Sequence, residues 1–277
     1  MENNYQNILF PYAYNILGSS EDAKDAVQEV VYKYLSAKKT NIDNEPAYLV
    51  KGVINQSINL KKRKQKLVSD QVWLPEPVAT ERAESQIIKE ELLTYSMLVL
   101  LEKLNPKERA VFILKEAFDY SHKEIAEAFD CSTDNARTLL SRARKKLADL
   151  NTNNSTSTPQ SQSEFLTRYL EVIGKGNVKA LEALLSQDIT VTADGGGKVQ
   201  VVRELTIGRE AASELLQFVY HSFQAKQRVE IGQLNHQPAL LFFQKNQLSS
   251  CQVFDIQDGV VKHIYAVVDP EKLSTIF

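Results

Sequence analysis

Side chains that could read and grip DNA recur on one side of the segment 133–147. On a helical wheel this face carries Arg137, Thr138, Ser141, Arg144 and Lys145, with Arg142 at its margin. Arginine can bind guanine through two hydrogen bonds, and basic side chains can hold phosphates. The opposite face is apolar and carries Ala136, Leu139, Leu140, Ala143 and Leu147. The pattern predicts a helix that packs on one side and enters a major groove with the other.

The residues before this helix predict a helix-turn-helix. Asn105 and Pro106 begin one helix, and Ser121 forms a capping box with Glu124 for a short second helix. A turn at Asp130–Cys131 leads to Ser132, which caps the third helix. Cys131 is interpreted as a small packed residue and not a reactive thiol. An exposed basic helix in some other bundle is the alternative interpretation.

A second candidate surface lies near the start of the chain. Gly18 is a helix stop, and Ser19 caps a following helix whose apolar stripe is Ala23, Ala26, Val27, Val30 and Tyr34. The other face of this helix shows Asp25, Gln28 and Glu29. The residues alone leave open whether this face is merely solvated or binds a partner.

A basic cluster ends the next predicted helix, which Pro46 begins. The cluster comprises Lys61, Lys62, Arg63 and Lys64, with Lys66 beyond. So many positive charges are costly to gather unless an anion or the carboxyl end of the helix stabilises them. The alternatives are a phosphate-binding patch and a basic helix end with no partner.

Composition narrows the class of protein. The 277 residues carry a formal net charge of −2 and are 43% hydrophobic, so a nucleic-acid partner must be argued from local clusters. Cys131 and Cys251 show neither CxxC spacing nor neighbouring histidines, which argues against a zinc site or a disulfide framework. No apolar run is long enough to span a bilayer, and the first residues lack a signal-peptide pattern. We expect a cytoplasmic, soluble, multidomain protein without a cofactor.

The chain divides where its composition changes. We predict an α-helical domain at 1–68, a linker at 69–84, a helix-turn-helix domain at 85–150 and a flexible polar linker at 151–160. Residues 161–277 combine helices at about 162–174, 177–186 and 208–223 with alternating apolar runs such as "DITVTAD", "KVQVVRELTI" and "KQRVEIGQL". These runs predict an α+β domain with a curved antiparallel sheet.

Two segments together resemble a known family. "LFPYAYNILGSSEDAKDAVQEVVYKYL" with "EPAYLVKGVINQSINLKKRKQK" resembles region 2 of a bacterial sigma factor, and "LNPKERAVFILKEAFDYSHKEIAEAFDCSTDNARTLLSRARKKL" resembles region 4. The resemblance covers residues 5–148 in the family's order. Without a domain between the two regions, the plan is similar to that of the extracytoplasmic-function (ECF) type.

The linker and the C-terminal domain carry three further motifs. "WLPEP", at 73–77, resembles a signature of an ECF group with a C-terminal SnoaL-like domain of the NTF2 fold. "DGGGK" (194–198) resembles a second signature of that group, and "DPEKL" (269–273) resembles its near-terminal Asn-Pro-Asp-Lys-Leu motif. In that group the extension replaces a separate anti-sigma factor. The resemblance implies an interdomain regulatory set: Trp73, Leu74, Pro75, Asp194, Gly195, Gly196, Gly197, Lys198, Asp269, Pro270, Lys272 and Leu273.

The resemblance also implies the partners, core RNA polymerase and promoter DNA. Asp25, Gln28 and Glu29 would contact the β′ clamp, and region 4 the β flap. Asn55 would read a base of the −10 element, while Lys51, Lys61, Lys62, Arg63 and Lys64 hold the backbone. Arg137, Thr138, Ser141 and Arg142 would read or position the −35 element, with Arg144 and Lys145 on phosphates.

Two alternative functions remain open at the level of the sequence. An NTF2-like pocket could hold a small ligand or a catalytic base, for which Asp255, His236 and His263 on predicted strands are candidates. None of them has a second group at a persuasive spacing, so we expect no enzyme activity. The other alternative is a stand-alone helix-turn-helix regulator, against which the acidic face of the first domain argues.

Overall fold

The chain folds into two compact units, and a short segment between the two parts of the first unit belongs to the second. The computed structural model describes residues 2–36, 42, 44–65, 72–80, 90–147, 158–202 and 205–276. The first unit contains Met1–Ser69 and Arg82–Asn151, and the second contains Asp70–Glu81 and Thr152–Phe277. The polypeptide therefore leaves the first unit, contributes a segment to the second, and returns.

Three helices form the first part of the first unit: α1 (Glu2–Leu17), α2 (Ser20–Ser36) and α3 (Glu45–Gln65). The corner between α1 and α2 is tight because Gly18 adopts a φ of 71°. The Gly18 N–H donates to the carbonyl oxygen of Tyr14 at 2.7 Å. The hydroxyl of Ser19 then accepts the N–H of Asp22 at 3.2 Å, as the predicted cap requires.

The predicted apolar stripe of α2 is largely confirmed. Ala23, Ala26, Val27 and Val30 are all buried. Tyr34 is only half-buried, and its ring packs edge-on against Tyr5 at a centroid distance of 6.5 Å.

The helix-turn-helix follows in the same unit. Its elements are α4 (Tyr95–Leu100), a 3₁₀ turn (Leu101–Lys103), α5 (Pro106–Glu116), α6 (His122–Ala128) and α7 (Thr133–Leu147). Both predicted helix starts are confirmed as capping boxes, Asn105 with Glu108 and Ser121 with Glu124. Ser132 accepts the N–H of Asn135 at 3.2 Å and so caps α7.

The second unit has the predicted α+β architecture. Its helices are α8 (Pro159–Gly174), α9 (Val178–Glu182), α10 (Arg209–Val219), which continues into a π turn (Tyr220–Gln224), and α11 (Pro270–Ser274). Its strands are β1 (Leu185–Asp194), β2 (Thr206–Ile207), β3 (Arg228–Leu234), β4 (Gln237–Gln244), β5 (Gln247–Gln257) and β6 (Val260–Val267).

The strands form one curved sheet in the order β2-β1-β6-β5-β4-β3. Pairing is antiparallel except between β1 and β6, which run parallel. One face of the sheet packs on α8 and α10, where Phe254 and Ile264 meet Leu166, Tyr169 and Leu216. This arrangement of helices on one face of a curved sheet confirms the predicted α+β fold class.

Two local predictions in this unit were wrong. The helix expected at about 177–186 ends at Glu182, because Leu185 already begins β1. The extended run expected at 198–207 is a strand only at Thr206–Ile207 among the described residues. There the chain turns instead, since the carbonyl of Gly195 accepts the N–H groups of Lys198 and Val199 at 3.0 Å each. No described helix is both long and apolar enough to cross a bilayer.

Candidate DNA-binding surfaces and linker-anchoring site

The predicted groove-reading face of α7 is exposed. Its apolar side buries Ala136, Leu140, Ala143 and Leu147 against the unit, and Leu139 is half-buried. The exposed side contains every predicted −35 residue: Arg137, Thr138, Ser141, Arg142, Arg144 and Lys145. The amphipathic pattern thus presents the cationic and hydroxyl groups together on one surface.

Two arginines of this face already contact carboxylates. Arg137 lies 3.0 Å from Asp134, and Arg144 lies 2.6 Å from Glu116. All four side chains are well exposed, so each pair contributes less than about 1 kcal/mol. A phosphate could therefore replace either carboxylate at small cost.

The predicted −10 residues on α3 fall into two groups. Asn55, Lys62, Arg63 and Lys64 are exposed, and Lys64 also pairs with Asp22 at 2.5 Å. Lys51 and Lys61 instead contact the helix-turn-helix segment of the same unit. Lys51 lies 2.5 Å from Asp130, whose side chain is 76% exposed.

Lys61 is buried in a cluster of three charges. Its ammonium donates to both carboxylate oxygens of Glu102 at 2.8 Å and to the carbonyl of Leu17 at 2.9 Å. Arg109, fully buried, also pairs with Glu102 and donates from Nε to the carbonyl of Asn15 at 2.9 Å. We call Lys61, Glu102 and Arg109 the Glu102 cluster.

The Glu102 cluster holds two cations against one carboxylate. Burial first and the nearby charge of Arg109 second lower the pKa of Lys61, while Glu102 and Asp22 act in the opposite direction; together they place it at about 7. The Nη2 atom of Arg109 is buried without a hydrogen-bond partner. The cluster is therefore electrostatically incomplete.

The acidic face of α2 is accessible. Asp25, Gln28 and Glu29 are all exposed. Glu29 pairs with Lys33 one turn away at 2.5 Å and accepts a hydrogen bond from Gln56 of α3. These contacts hold the Glu29 carboxylate at the junction of α2 and α3.

The three motifs of the predicted regulatory set meet at one carboxylate in the second unit. Oδ2 of Asp194 accepts the N–H of Leu74 at 2.7 Å and the ammonium of Lys272 at 2.6 Å. Lys272 also donates to the carbonyl of Leu74 at 2.5 Å, and its nitrogen lies 4.5 Å from the centre of the Trp73 ring. We call Asp194, Lys272 and the backbone of Leu74 the Asp194 cluster.

Glycines allow this close approach. Gly196 has a φ of 61°, its N–H donates to Oδ1 of Asp194 at 2.8 Å, and an added Cβ would lie 2.2 Å from the Asp269 carboxylate. A Cβ on Gly195 would lie 2.2 Å from the carbonyl oxygen of Val199. Gly197 also has a positive φ, of 73°. The glycine run is thus required by geometry and does not form a phosphate loop.

The rest of the set completes the anchor. Asp269 accepts the N–H of Glu271 at 3.1 Å and caps α11, which begins at Pro270. Lys198 pairs with Glu271 on the surface. Leu74, Pro75 and Leu273 are buried. The ring of Trp73 covers the buried Lys272 ammonium, which explains the presence of a large apolar side chain in the linker.

A second anchor was missed by the sequence analysis. Asn235, fully buried with a φ of 46°, accepts the N–H of Val78 through Oδ1 and donates its own N–H to the Val78 carbonyl, both at 2.9 Å. The N–H of His236 donates to the hydroxyl of Thr80 at 3.2 Å. The only sequence signal was an asparagine in a turn, which tolerates positive φ.

The candidate catalytic residues do not converge in the core of the domain. His236 lies in the β3–β4 turn with a φ of 61°, so its prediction on a strand was wrong. His263 Nδ1 lies 2.6 Å from the Thr190 hydroxyl. Asp255 is the cross-strand neighbour of His263, and burial raises its pKa. Because Phe254 packs in the core, the adjacent Asp255 points to the other face of the sheet.

The structure shows no metal site in the residues it describes. No group of three His, Cys, Asp or Glu side chains within them could hold an ion. Cys251 is buried, which raises its pKa to about 12. Cys131 lies in the helix-turn-helix turn as predicted, but it is partly exposed and not fully packed.

Comparison with known proteins agrees with this arrangement. Residues 95–147 match the family "Sigma-70, region 4". The chain is 29% identical over 198 residues to the ECF RNA polymerase sigma factor SigJ of Mycobacterium tuberculosis. The alignment covers 69% of this chain and 62% of SigJ. The chain thus aligns with less than two thirds of SigJ's length in that comparison. It is 23% identical to the probable ECF sigma factor SigI of the same species, covering 97% of this chain and 92% of SigI.

The crystal structure of M. tuberculosis SigJ superposes with a TM-score of 0.79 at 22% identity, covering 99% of this chain and 97% of that one. The helix-turn-helix at 95–147 is thus similar to region 4 of the sigma-70 class. More particularly, the chain is similar to ECF sigma factors of M. tuberculosis and shares the fold of SigJ.

Proposed function

We propose that the chain binds core RNA polymerase and directs promoter-specific initiation of transcription. The observation that carries this proposal is the coincidence of the region 4 match, 95–147, with a helix-turn-helix whose α7 exposes six candidate DNA contacts. The M. tuberculosis relatives are described as ECF RNA polymerase sigma factors. Core polymerase and promoter DNA are accordingly the partners.

Each exposed surface then has a role. Asp25, Gln28 and Glu29 on α2 bind the β′ clamp, and region 4 binds the β flap. Asn55 captures an unstacked base of the −10 element, with Lys51, Lys62, Arg63 and Lys64 along the backbone, which the buried Lys61 joins only after its contact with Glu102 opens. The α7 face reads the −35 element. An exposed, flexible cationic surface can exchange its present carboxylate partners for phosphates.

We propose further that the C-terminal domain tunes this activity through the linker. The segment 72–80 joins the two sigma regions, and its backbone is held by Asp194 and Lys272 at one end and by Asn235 at the other. A linker fixed at two points cannot change its path freely when the sigma regions rearrange on polymerase. The anchor thus takes the place of a separate anti-sigma factor.

The test is transcription in vitro with core polymerase on a genomic promoter library. We expect promoter-specific transcripts from the full chain and a loss of at least about tenfold with Arg142→Ala, which removes one α7 contact. Arg168→Ala, at an exposed position of α8, is the matched control. Partner-free binding to a duplex operator, without any binding to core polymerase, would instead establish a stand-alone regulator.

The linker role is tested with Trp73→Ala and Lys272→Met in the same assay. Both variants disturb the anchor and leave the predicted DNA and polymerase surfaces unchanged. We expect the transcript yield to change by at least about threefold at equal core binding, because a released linker alters the populations of the sigma arrangements. Unchanged yields from both variants would contradict the regulatory role.

A further inference from the structure

Two lysines assigned to the −10 surface are occupied by carboxylates of the helix-turn-helix segment. Lys51 pairs with Asp130 in the turn before α7, and Lys61 pairs with Glu102 in the 3₁₀ turn before α5. The paired residues are 79 and 41 positions apart in the chain. Both ion pairs therefore join the α1–α3 bundle to the segment that follows the linker, within one compact unit.

The contact between these two parts is more than electrostatic. The ring of Tyr12 on α1 stacks on Phe118 with a centroid distance of 3.9 Å and an interplanar angle of 11°. The side chain of Asn15 donates to the carbonyl of Glu91 at 2.9 Å and accepts the N–H of Leu93 at 3.2 Å. An apolar stack and satisfied amide bonds give the contact a defined geometry, as opposed to a diffuse charge attraction.

We infer that Glu102 and Asp130 substitute for promoter phosphates: they hold the bundle closed on the helix-turn-helix segment and keep Lys51 and Lys61 from DNA until this contact opens. This inference rests on the proposed function, because it takes the −10 role of the two lysines from it. It adds a regulatory contact that lies wholly within the first unit and needs no residue of the C-terminal domain.

The geometry explains why such a contact can hold and yet open. Only 5% of Lys61 is accessible, so DNA cannot reach its ammonium in this arrangement. Yet Lys61 shares the Glu102 carboxylate with Arg109, whose Nη2 has no hydrogen-bond partner. Arg109 can therefore keep the carboxylate when Lys61 leaves, so that no buried acid is left unpaired. A DNA strand offers a phosphate to each of the two lysines once the contact opens.

The experiment compares full-length variants that each remove one carboxylate. Asp130→Asn removes the exposed partner of Lys51 and leaves no buried group unpaired, so it should fold normally. Glu102→Gln removes the shared partner of Lys61 and Arg109. Glu127→Gln is the matched control, because Glu127 is an exposed carboxylate of the same segment that pairs with Lys123 inside its own helix. It controls for the general effect of one fewer negative charge.

Two measurements are made on each variant without polymerase. The first is amide hydrogen exchange over residues 11–17 and 58–65, which reports opening of the contact. The second is fluorescence anisotropy with a labelled 20-nucleotide single-stranded DNA of random sequence. We expect faster exchange, with DNA affinity raised about threefold by Asp130→Asn and about tenfold by Glu102→Gln, and no such change with Glu127→Gln.

Two results would overturn the inference. Faster exchange with unchanged DNA affinity would mean that the contact opens but does not mask DNA-binding lysines. Equal gains in affinity for Asp130→Asn and Glu127→Gln would mean that only net charge matters. Binding of the wild-type chain to core polymerase, measured in parallel, separates these failures from a failure of the proposed function.

Discussion

Among the residues that the structure describes, two lysines are buried, and they lie in clusters of different character. In the Asp194 cluster, Lys272 meets one carboxylate and one backbone carbonyl, and the carboxylate also accepts two backbone N–H groups. In the Glu102 cluster, Lys61 and Arg109 compete for a single carboxylate. In the first arrangement one basic side chain meets one fully hydrogen-bonded carboxylate, and in the second two basic side chains share one carboxylate.

The difference between the two clusters indicates which contact is the more persistent. Breaking a buried ion pair that is balanced and hydrogen-bonded leaves an uncompensated charge, which is costly. Opening the Glu102 cluster leaves no carboxylate stranded, because Lys61 can be solvated while Arg109 keeps its pair with Glu102. We therefore expect the linker anchor to be the permanent contact and the contact within the first unit to be the one that opens.

The largest expected effect comes from Lys272→Met. The substitution leaves the Asp194 carboxylate buried without its cation and the Leu74 carbonyl without a donor. We expect the free energy of unfolding of the second unit to fall by about 3–5 kcal/mol. The fluorescence of Trp73, the only tryptophan, follows its urea unfolding directly. A loss below about 1 kcal/mol, similar to that of the exposed Lys198→Met control, would refute the balanced-pair interpretation.

Gly196→Ala tests whether the Asp194 cluster is rigid. Alanine at a φ of 61° is strained, and its Cβ would meet the Asp269 carboxylate, so one of the two turns must move. We expect a destabilisation of about 1–3 kcal/mol in the same unfolding assay. Gly259→Ala is a suitable control, because that glycine has a φ of 76° with open space around its Cβ position. Equal losses at both sites would mean that backbone strain alone accounts for the effect.

The pH dependence of the stability of the first unit provides a further test of the comparison between the two clusters. Burial lowers the pKa of Lys61 to about 7, whereas an unfolded lysine keeps its proton up to about 10.5. Between these values the unfolded chain binds more protons, so stability rises with pH, by at most about 1.4 kcal/mol per pH unit. Hydrogen exchange of α3 amides from pH 7 to 9, corrected for intrinsic rates, measures this slope. Lys61→Met should abolish this contribution, and an equal slope in both proteins would exclude Lys61 as its source.

The smallest effect is expected for the stability of Lys61→Met itself. Methionine fills the same space, and Arg109 keeps its pair with Glu102, so one basic side chain is removed without stranding the carboxylate. We expect a change in unfolding free energy within about 1 kcal/mol at pH 7. A loss as large as that of Lys272→Met would show that the two clusters are equivalent.

Local signals in the sequence predicted the helical elements well. The helix start at Asn105, the capping box at Ser121 and the two-faced pattern of α7 depend on residues at most four positions apart, and each is confirmed. The α+β architecture followed from alternating apolar runs. The shared site of "WLPEP", "DGGGK" and "DPEKL" was expected only through a family resemblance, because nothing in their spacing brings them together.

The remaining features depend on distant partners. Lys61 belongs to a basic run that predicts exposure, yet it is buried by Glu102, 41 residues away, and by Arg109 beyond it. Asn235 anchors Val78 across 157 residues from within an ordinary turn. No pattern within a window of the sequence contains either relationship. The DNA-binding and polymerase-binding residues stay predictions until the experiments above are made.

The span of the linker anchor has a consequence for synthesis of the protein. Leu74 and Lys272 are 198 residues apart, so at ordinary translation rates of about 5–20 residues per second the ribosome needs about 10–40 s to make the second after the first. When that interval begins, only α1–α3 of the first unit have been made, and α4–α7 follow before the first linker partner, Asp194, is made. Each newly made molecule therefore passes through an unanchored stage, and the anchor matures only when translation has reached α11.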